Sequence, residues 1–365
     1  MKFLIVNPFG IGDVLFTTPM IRALRKAFPD ATLGYVCNRR VEELVRANSR
    51  VDLIFIFEKD EYRALWQRSK KECLRMAFRF LKEIRNQRFD VLIDLSLGWH
   101  YSFLGWLLRI PERIGFNYRR RGRFLTKGKI LYGFEEKHVV QYNLELLELL
   151  GVASPKSPHL ELHPLEKDRL WARDFLNVHG VPEETALIGM APGGGASWGK
   201  ESFYKHWPKE HFSKLANRLL ENEERFLLLF GDKKEISLCE TIAKEISGKH
   251  LVVAGKTSLG QLSALIERCR LLICNDGGTL HAAVSQGVPT LSFFGPVDPK
   301  VYGPFPAANR HRVLTIPLCC RPCYRRFKYP FCERQVCLEW VTPDEALKEA
   351  VQLLEGSFVG DMQTQ

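Results

Sequence analysis

The chain has 365 residues, 45% of them apolar, with 27 glycines and 19 prolines. That is too long for one ordinary core, about right for two domains, and too apolar for a disordered chain. No run of about 18 apolar residues occurs, so no membrane-spanning helix is expected, and a formal charge of +11 favours anionic partners unless it serves only solubility.

The opening MKFLIVNPFG is too short an apolar stretch for a secretory signal and runs straight into a turn, so Lys2–Val6 reads as a first strand. Residues 13–27 carry helical spacing and stop before Pro29. Residues 32–36, 53–57 and 91–95 are β-branched, apolar runs, with a charged helical segment over 63–88. From 101 to 134 aromatics, arginines and glycines mix without clean period, which reads as long loops or short elements rather than core. A helix follows over about 139–150 and stops at Gly151, and the proline-bearing stretch 152–164 is the linker candidate.

The alternation then restarts. Strand-like runs at 187–190, 226–230, 251–253, 271–274 and 290–293 are separated by helical segments at 209–221, 236–246, 259–268 and 280–286. Repeated βα alternation predicts parallel sheets. The expected fold class is therefore α/β, with an N-terminal Rossmann-like domain over 1–160 and a C-terminal one over 161–365.

Three loops that follow strands carry the chemistry. Gly10-Ile11-Gly12-Asp13 opens the first helix, where glycines allow close approach to a ligand and the helix start stabilises a carboxylate. Asp13 is thus a candidate general base, although an N-cap would need the same residue. Gly12 is followed by Leu15 rather than a third glycine, so a dinucleotide fingerprint is absent. Pro192-Gly193-Gly194-Gly195-Ala196-Ser197 strips side chains from a loop, so that main-chain N–H groups can meet phosphate; a plain surface turn would look similar. Its spacing is not that of a Walker A loop, but Lys205-His206-Trp207-Pro208 downstream supplies a cation.

The third loop is the sharpest. Asn275-Asp276-Gly277-Gly278-Thr279-Leu280-His281 leaves a strand and begins a helix, aiming N–H groups and the positive helix end at an anion. Asp276 suits sugar hydroxyls. His281 suits either the phosphate wall or a packed, hydrogen-bonded core.

Together with Phe294-Gly295-Pro296-Val297-Asp298-Pro299, these motifs make the chain resemble the heptosyltransferase family, over nearly its whole length. The resemblance implies a GT-B fold, two Rossmann-like domains facing each other across a cleft, with acceptor on the N-terminal domain and nucleotide-sugar on the C-terminal one. It implies inverting transfer without a metal, favouring heptose from ADP-heptose onto a lipid-linked lipopolysaccharide-type acceptor. By that resemblance Asp13 is the base; Gly194, Ser197 and Lys205 meet the diphosphate; and Asp276, Gly277, Gly278, Thr279 and His281 complete the donor site. Asp232 or Glu235 would bind ribose. The insertion before Lys205 makes Lys200 a rival phosphate ligand. Gly10 and Gly12 would line the acceptor side with Arg119, Arg120 and Arg121. A nucleotide-sugar epimerase of the same fold is the alternative, and no nucleic-acid motif accompanies the charge.

Ten cysteines without an export signal point to a reducing compartment. Cys320, Cys323, Cys332 and Cys337, with Cys319 adjoining, could hold a structural zinc, remain reduced thiols, or pair as disulfides. No cofactor is expected for the reaction itself. The basic, aromatic stretch 99–134 suits an anionic membrane surface, which places the chain in the cytoplasm at the inner membrane.

Overall fold

A computed structural model describes residues 1–329 and 331–356, apart from the side chains of Ala196 and Ser197. The chain divides into two compact units, Met1–Phe134 with Val139–Pro158, and Glu135–His138 with His159–Gln365.

In the first unit six parallel strands alternate with helices: β1 (Lys2–Val6), β2 (Thr32–Cys37), β3 (Leu53–Ile56), β4 (Val91–Asp94), β5 (Glu112–Tyr118) and β6 (Lys127–Leu131). They lie in the order β3-β2-β1-β4-β5-β6. The helices are α1 (Ile11–Leu15), α2 (Thr18–Ala27), α3 (Glu42–Ala47), α4 (Lys59–Arg68), α5 (Lys70–Gln87), α6 (His100–Leu107) and α7 (Val139–Leu146). Where one helix was expected over 13–27, two form. Phe16 and Thr17 separate them, and the second has Pro at its first turn.

The second unit repeats the plan. Its strands are β7 (Ala186–Ala191), β8 (Arg225–Leu229), β9 (His250–Val252), β10 (Cys269–Asn275), β11 (Thr290–Phe293) and β12 (His311–Leu314), ordered β12-β11-β10-β7-β8-β9. The helices are α8 (Glu166–Val178), α9 (Lys209–Leu219), α10 (Ile236–Ala243), α11 (Leu259–Glu267), α12 (Gly278–Ser285), α13 (Pro299–Tyr302), α14 (Val336–Glu339) and α15 (Pro343–Leu354). Read from the third strand of each unit, both sheets run third, second, first, fourth, fifth, sixth. This is the doubly wound arrangement, and it confirms the α/β, Rossmann-like class.

Parallel strands need cover on both faces, which explains their apolar runs. In the first unit Leu4, Val6, Val36 and Leu92 meet Ile84 of α5 on one face, with Phe80 of α5 and Tyr101 of α6 packed against them. In the second, Trp207 lies flat on Phe293 at 4.0 Å between ring centroids, and its indole N–H donates to the Val341 carbonyl at 2.9 Å. The stretch 101–134 holds short elements, α6, β5 and β6, but the expectation that it lies outside the core is corrected by β5. Strand β5 buries Ile114, Phe116 and Tyr118 while keeping polar residues among them, so its sequence lacks the uniform apolar run of a central strand.

Candidate functional site

In a doubly wound sheet, ligands gather outside the carboxyl ends of the strands where the strand order reverses. That switch point lies between β1 and β4 in the first unit and between β7 and β10 in the second. All three sequence motifs emerge there.

In the first unit, Gly10 precedes α1 and its N–H donates to Asp13 Oδ2 at 3.2 Å. Asp13 therefore does cap the helix, from its third residue rather than from the N-cap position, and its side chain is half-buried. The loop is held from below. Asn7 Nδ2 donates to the Asp13 carbonyl at 3.0 Å, and Asn38 Nδ2 donates to the carbonyls of Pro8 and Phe9 at 3.2 and 2.6 Å. Thr17 Oγ1 and the buried Tyr35 hydroxyl are 3.0 Å apart, and burial raises the Tyr35 pKa. Gly12 is half-buried on α1.

Asp94 escaped the sequence reading because it ends an otherwise apolar strand. It is buried at the tip of β4, in register with Val6, and accepts the Ser96 N–H at 2.9 Å. Burial pushes its carboxyl up to about 6, against hydrogen bonds from Ser96 that pull it down. Arg119, Arg120 and Arg121 follow β5 on the same sheet edge. All three are exposed, and the guanidinium groups of Arg119 and Arg121 lie 5.0 and 5.8 Å from the centre of the Tyr118 ring.

In the second unit the two switch-point loops are laced together. Asn275 Nδ2 donates to the Pro192 carbonyl at 2.6 Å, and Asn275 Oδ1 accepts the Trp207 N–H at 3.0 Å. A Cβ on Gly277 would meet the Gly194 carbonyl at 3.4 Å, so the loops nearly touch. Behind Gly193 sits Glu235, whose carboxylate accepts N–H groups from Gly195 at 3.0 Å and Asp232 at 2.9 Å. A Cβ on Gly193 would stand 1.9 Å from that carboxylate and would displace it from these bonds. Burial raises the Glu235 pKa. Asp232 itself accepts the Lys234 N–H at 2.7 Å.

Lys205 and Asp276, 71 residues apart in sequence, form a buried ion pair at 2.7 Å. The Lys205 ammonium also lies 4.4 Å from the centre of the Trp198 ring. Lys200 is exposed, so of the two candidate lysines only Lys205 is built into the motif cluster. The Ser197 side chain lies outside what is described. Gly278 and Thr279 form the first turn of α12, with Gly277 as its N-cap. His281 is buried one turn on. Burial, then His138 and Lys205, hold its imidazole down at about 3, so the ring is neutral. His138, unrecognised in the sequence because it stands in irregular chain just before α7, stacks on Phe305 and donates to the Gly303 carbonyl at 3.1 Å.

Among the described residues no three His, Cys, Asp or Glu are arranged to hold a metal, and all ten cysteines are free. Cys332 donates instead to the Arg334 carbonyl, while Cys337 is buried and Cys320 exposed. The loop has a packing role: Trp198 sits against Tyr324 and Tyr329, with centroids 4.7 and 5.1 Å away.

Comparison with known proteins places the chain in a family. The profile of glycosyltransferase family 9 (heptosyltransferase) matches residues 77–329. Lipopolysaccharide heptosyltransferase 3 of Escherichia coli is 25% identical over 299 residues, covering 80% of this chain and 83% of that protein. The glycosyl transferase family 9 structure from Veillonella parvula superposes with a TM-score of 0.82 at 26% identity, covering 97% of each chain. E. coli ADP-heptose lps heptosyltransferase II gives 0.76 at 22% identity, covering 98% of this chain and 99% of that one. The shared architecture is GT-B.

Proposed function

We infer that this chain, which belongs to glycosyltransferase family 9, transfers heptose from ADP-heptose to a lipid-linked acceptor of the lipopolysaccharide type, with inversion and without a metal. The observation that carries the reading is the buried Lys205–Asp276 pair at the β7/β10 switch point, beside the N-terminus of α12. A nucleoside diphosphate leaving group gains negative charge as its bond to the sugar breaks. An ammonium and a helix N-terminus stabilise that charge where other enzymes use Mg²⁺.

In this reading Asp276 accepts hydroxyls of the sugar, while Lys205, Gly194 and the turn Gly277–Thr279 face the diphosphate. Ser197 completes the loop. Glu235 ties the glycine loop, through the Gly195 N–H, to its own turn, through the Asp232 N–H, so its part is to shape the donor site, with Asp232 beside it for the ribose. Neutral His281 packs behind the phosphates. The acceptor hydroxyl gives its proton to Asp13 as its oxygen attacks the anomeric carbon. The bond from that carbon to the diphosphate oxygen breaks, and the diphosphate leaves with the electron pair. Arg119, Arg120 and Arg121 neutralise anionic groups of the acceptor. The names of the E. coli relatives support ADP-heptose and lipopolysaccharide for this chain too. A lipid-linked acceptor places the enzyme at the cytoplasmic face of the inner membrane.

Calorimetric titration with ADP-heptose, ADP and several UDP- and GDP-sugars, in chelator, tests this. Binding of the ADP ligands that weakens at least tenfold in Asp276→Ala is the expected result. Preference for a UDP- or GDP-sugar would overturn the donor, and binding of none would sink the transferase reading.

A further inference from the structure

The charge of the chain is not shared between its units. The first holds 27 Lys and Arg against 15 Asp and Glu; the second holds 26 against 27. The whole excess therefore belongs to the unit assigned to the acceptor.

Within that unit the excess concentrates on α4 and α5, where residues 59–88 carry ten basic side chains and four acidic ones. Helix α5 has two faces. Cys73, Phe80 and Ile84 turn inward, Ile84 and Phe80 onto the core with Leu4, Val36 and Leu92. Opposite them Lys71, Leu74, Phe78, Lys82 and Arg85 follow at intervals of three and four, which makes a single stripe along the helix. Leu74 and Phe78 are 60% and 67% exposed at its middle. On α4, which buries no residue, Trp66 is half exposed beneath the Lys70 ammonium, 5.7 Å from the ring centre. Helix α6 covers the same side of the sheet, since Tyr101 packs with Phe80 on the same core, and it exposes Trp106. Next to Trp106 stands Phe124, with Arg123 4.9 Å from its ring centre.

We propose that this outer face of α4, α5 and α6 docks the chain on an anionic membrane surface. The proposal deepens the reading of a lipid-linked acceptor and rests on it. Apolar and indole side chains enter the interface between head groups and acyl chains, while lysines and arginines reach sideways to phosphate. A second copy of the chain fits poorly, because a two-fold contact would set one basic stripe against another. An acidic surface complements the face, and a bilayer alone gives the apolar centre of the stripe somewhere to go. No helix among the described residues is long and apolar enough to span the bilayer, so attachment through such a face is peripheral.

Sedimentation of the full chain with extruded vesicles, phosphatidylcholine alone or mixed with phosphatidylglycerol, tests the proposal. Anionic vesicles should bind at least tenfold more tightly than neutral ones, and less so as salt rises. Leu74→Ser with Phe78→Ser should weaken that binding tenfold or more. Lys71→Gln, Lys82→Gln and Arg85→Gln together should weaken it on the order of a hundredfold, at about fivefold per cation. Lys233→Gln with Lys234→Gln in the second unit should change nothing. Unaltered donor titrations in all three variants would show that each is folded.

Equal binding to both vesicle types, no binding to either, or binding indifferent to both stripe variants would overturn the proposal. So would a dimer seen by light scattering that the serine variant abolishes while wild type ignores vesicles. A chain that needs the stripe for vesicles yet binds no nucleotide-sugar keeps the docking face and loses the transferase reading.

Discussion

The two units share one strand order and one place for function, yet they build their sites from different materials. The first relies on side chains: Asp13 held by Asn7 and Gly10, Asp94 buried at the end of the neighbouring strand, and arginines after β5. The second relies on main chain brought close by glycine, with a single buried ion pair at its centre. Only the first is strongly charged overall. A loop of N–H groups recognises phosphate wherever phosphate occurs, whereas spaced side chains suit one particular acceptor. The same fold can thus keep a general donor site and carry a specialised partner.

The sharpest way to test that division is at Asp13. Asp13→Asn should cut the transfer rate by roughly 10²- to 10⁴-fold, the usual range for a positioned base, with donor affinity unchanged in calorimetry. A matching loss of donor binding would mean that the units do not divide the labour as described.

The next effect is on stability. Lys205→Ala strands the Asp276 carboxylate in a buried site and should cost about 3–5 kcal/mol in denaturant unfolding. The Lys205→Ala, Asp276→Ala pair should recover much of that loss, although neither restores donor affinity. A single variant within about 1 kcal/mol of wild type would show that the pair is dispensable to the fold.

The pH responses of the two units should run in opposite senses. The Asp94 pKa is raised, so its contribution is full below about pH 4 and is lost as pH rises through about 6; two pH units correspond to about 3 kcal/mol. His138 is lowered to about 4 and His281 to about 3, so their contribution is full above about pH 6.5 and fades as pH falls toward those values. Hydrogen exchange resolved by unit should show the first gaining and the second losing protection between pH 7.5 and 5. Asp94→Asn should flatten the first trend, and both units drifting the same way would contradict it.

Much of this was legible in the sequence, and what escaped did so for identifiable reasons. Glycines, a carboxylate and a strand just before them are local signals, so all three switch-point loops could be read without coordinates. Strands β5, β6 and β12 lie toward the sheet margins and mix polar with apolar residues, which blurs their period. Asp94 and His138 are informative only through burial, which a linear pattern does not show. The pairing of Lys205 with Asp276, and the seat that Tyr324 and Tyr329 give Trp198, are long-range contacts between segments whose spacing carries no period.

Both sheets are wholly parallel among the described residues, and every motif loop leaves their carboxyl ends. The amino-end turns, such as those entering β2, β4, β8 and β11, carry none of these groups. Tolerance of change is thereby graded along the strand direction rather than along the sequence. A lineage can lengthen or rewrite the turns at one edge of each sheet and answer for it only in stability, while changes at the other edge reach the motif loops proposed to meet the substrates.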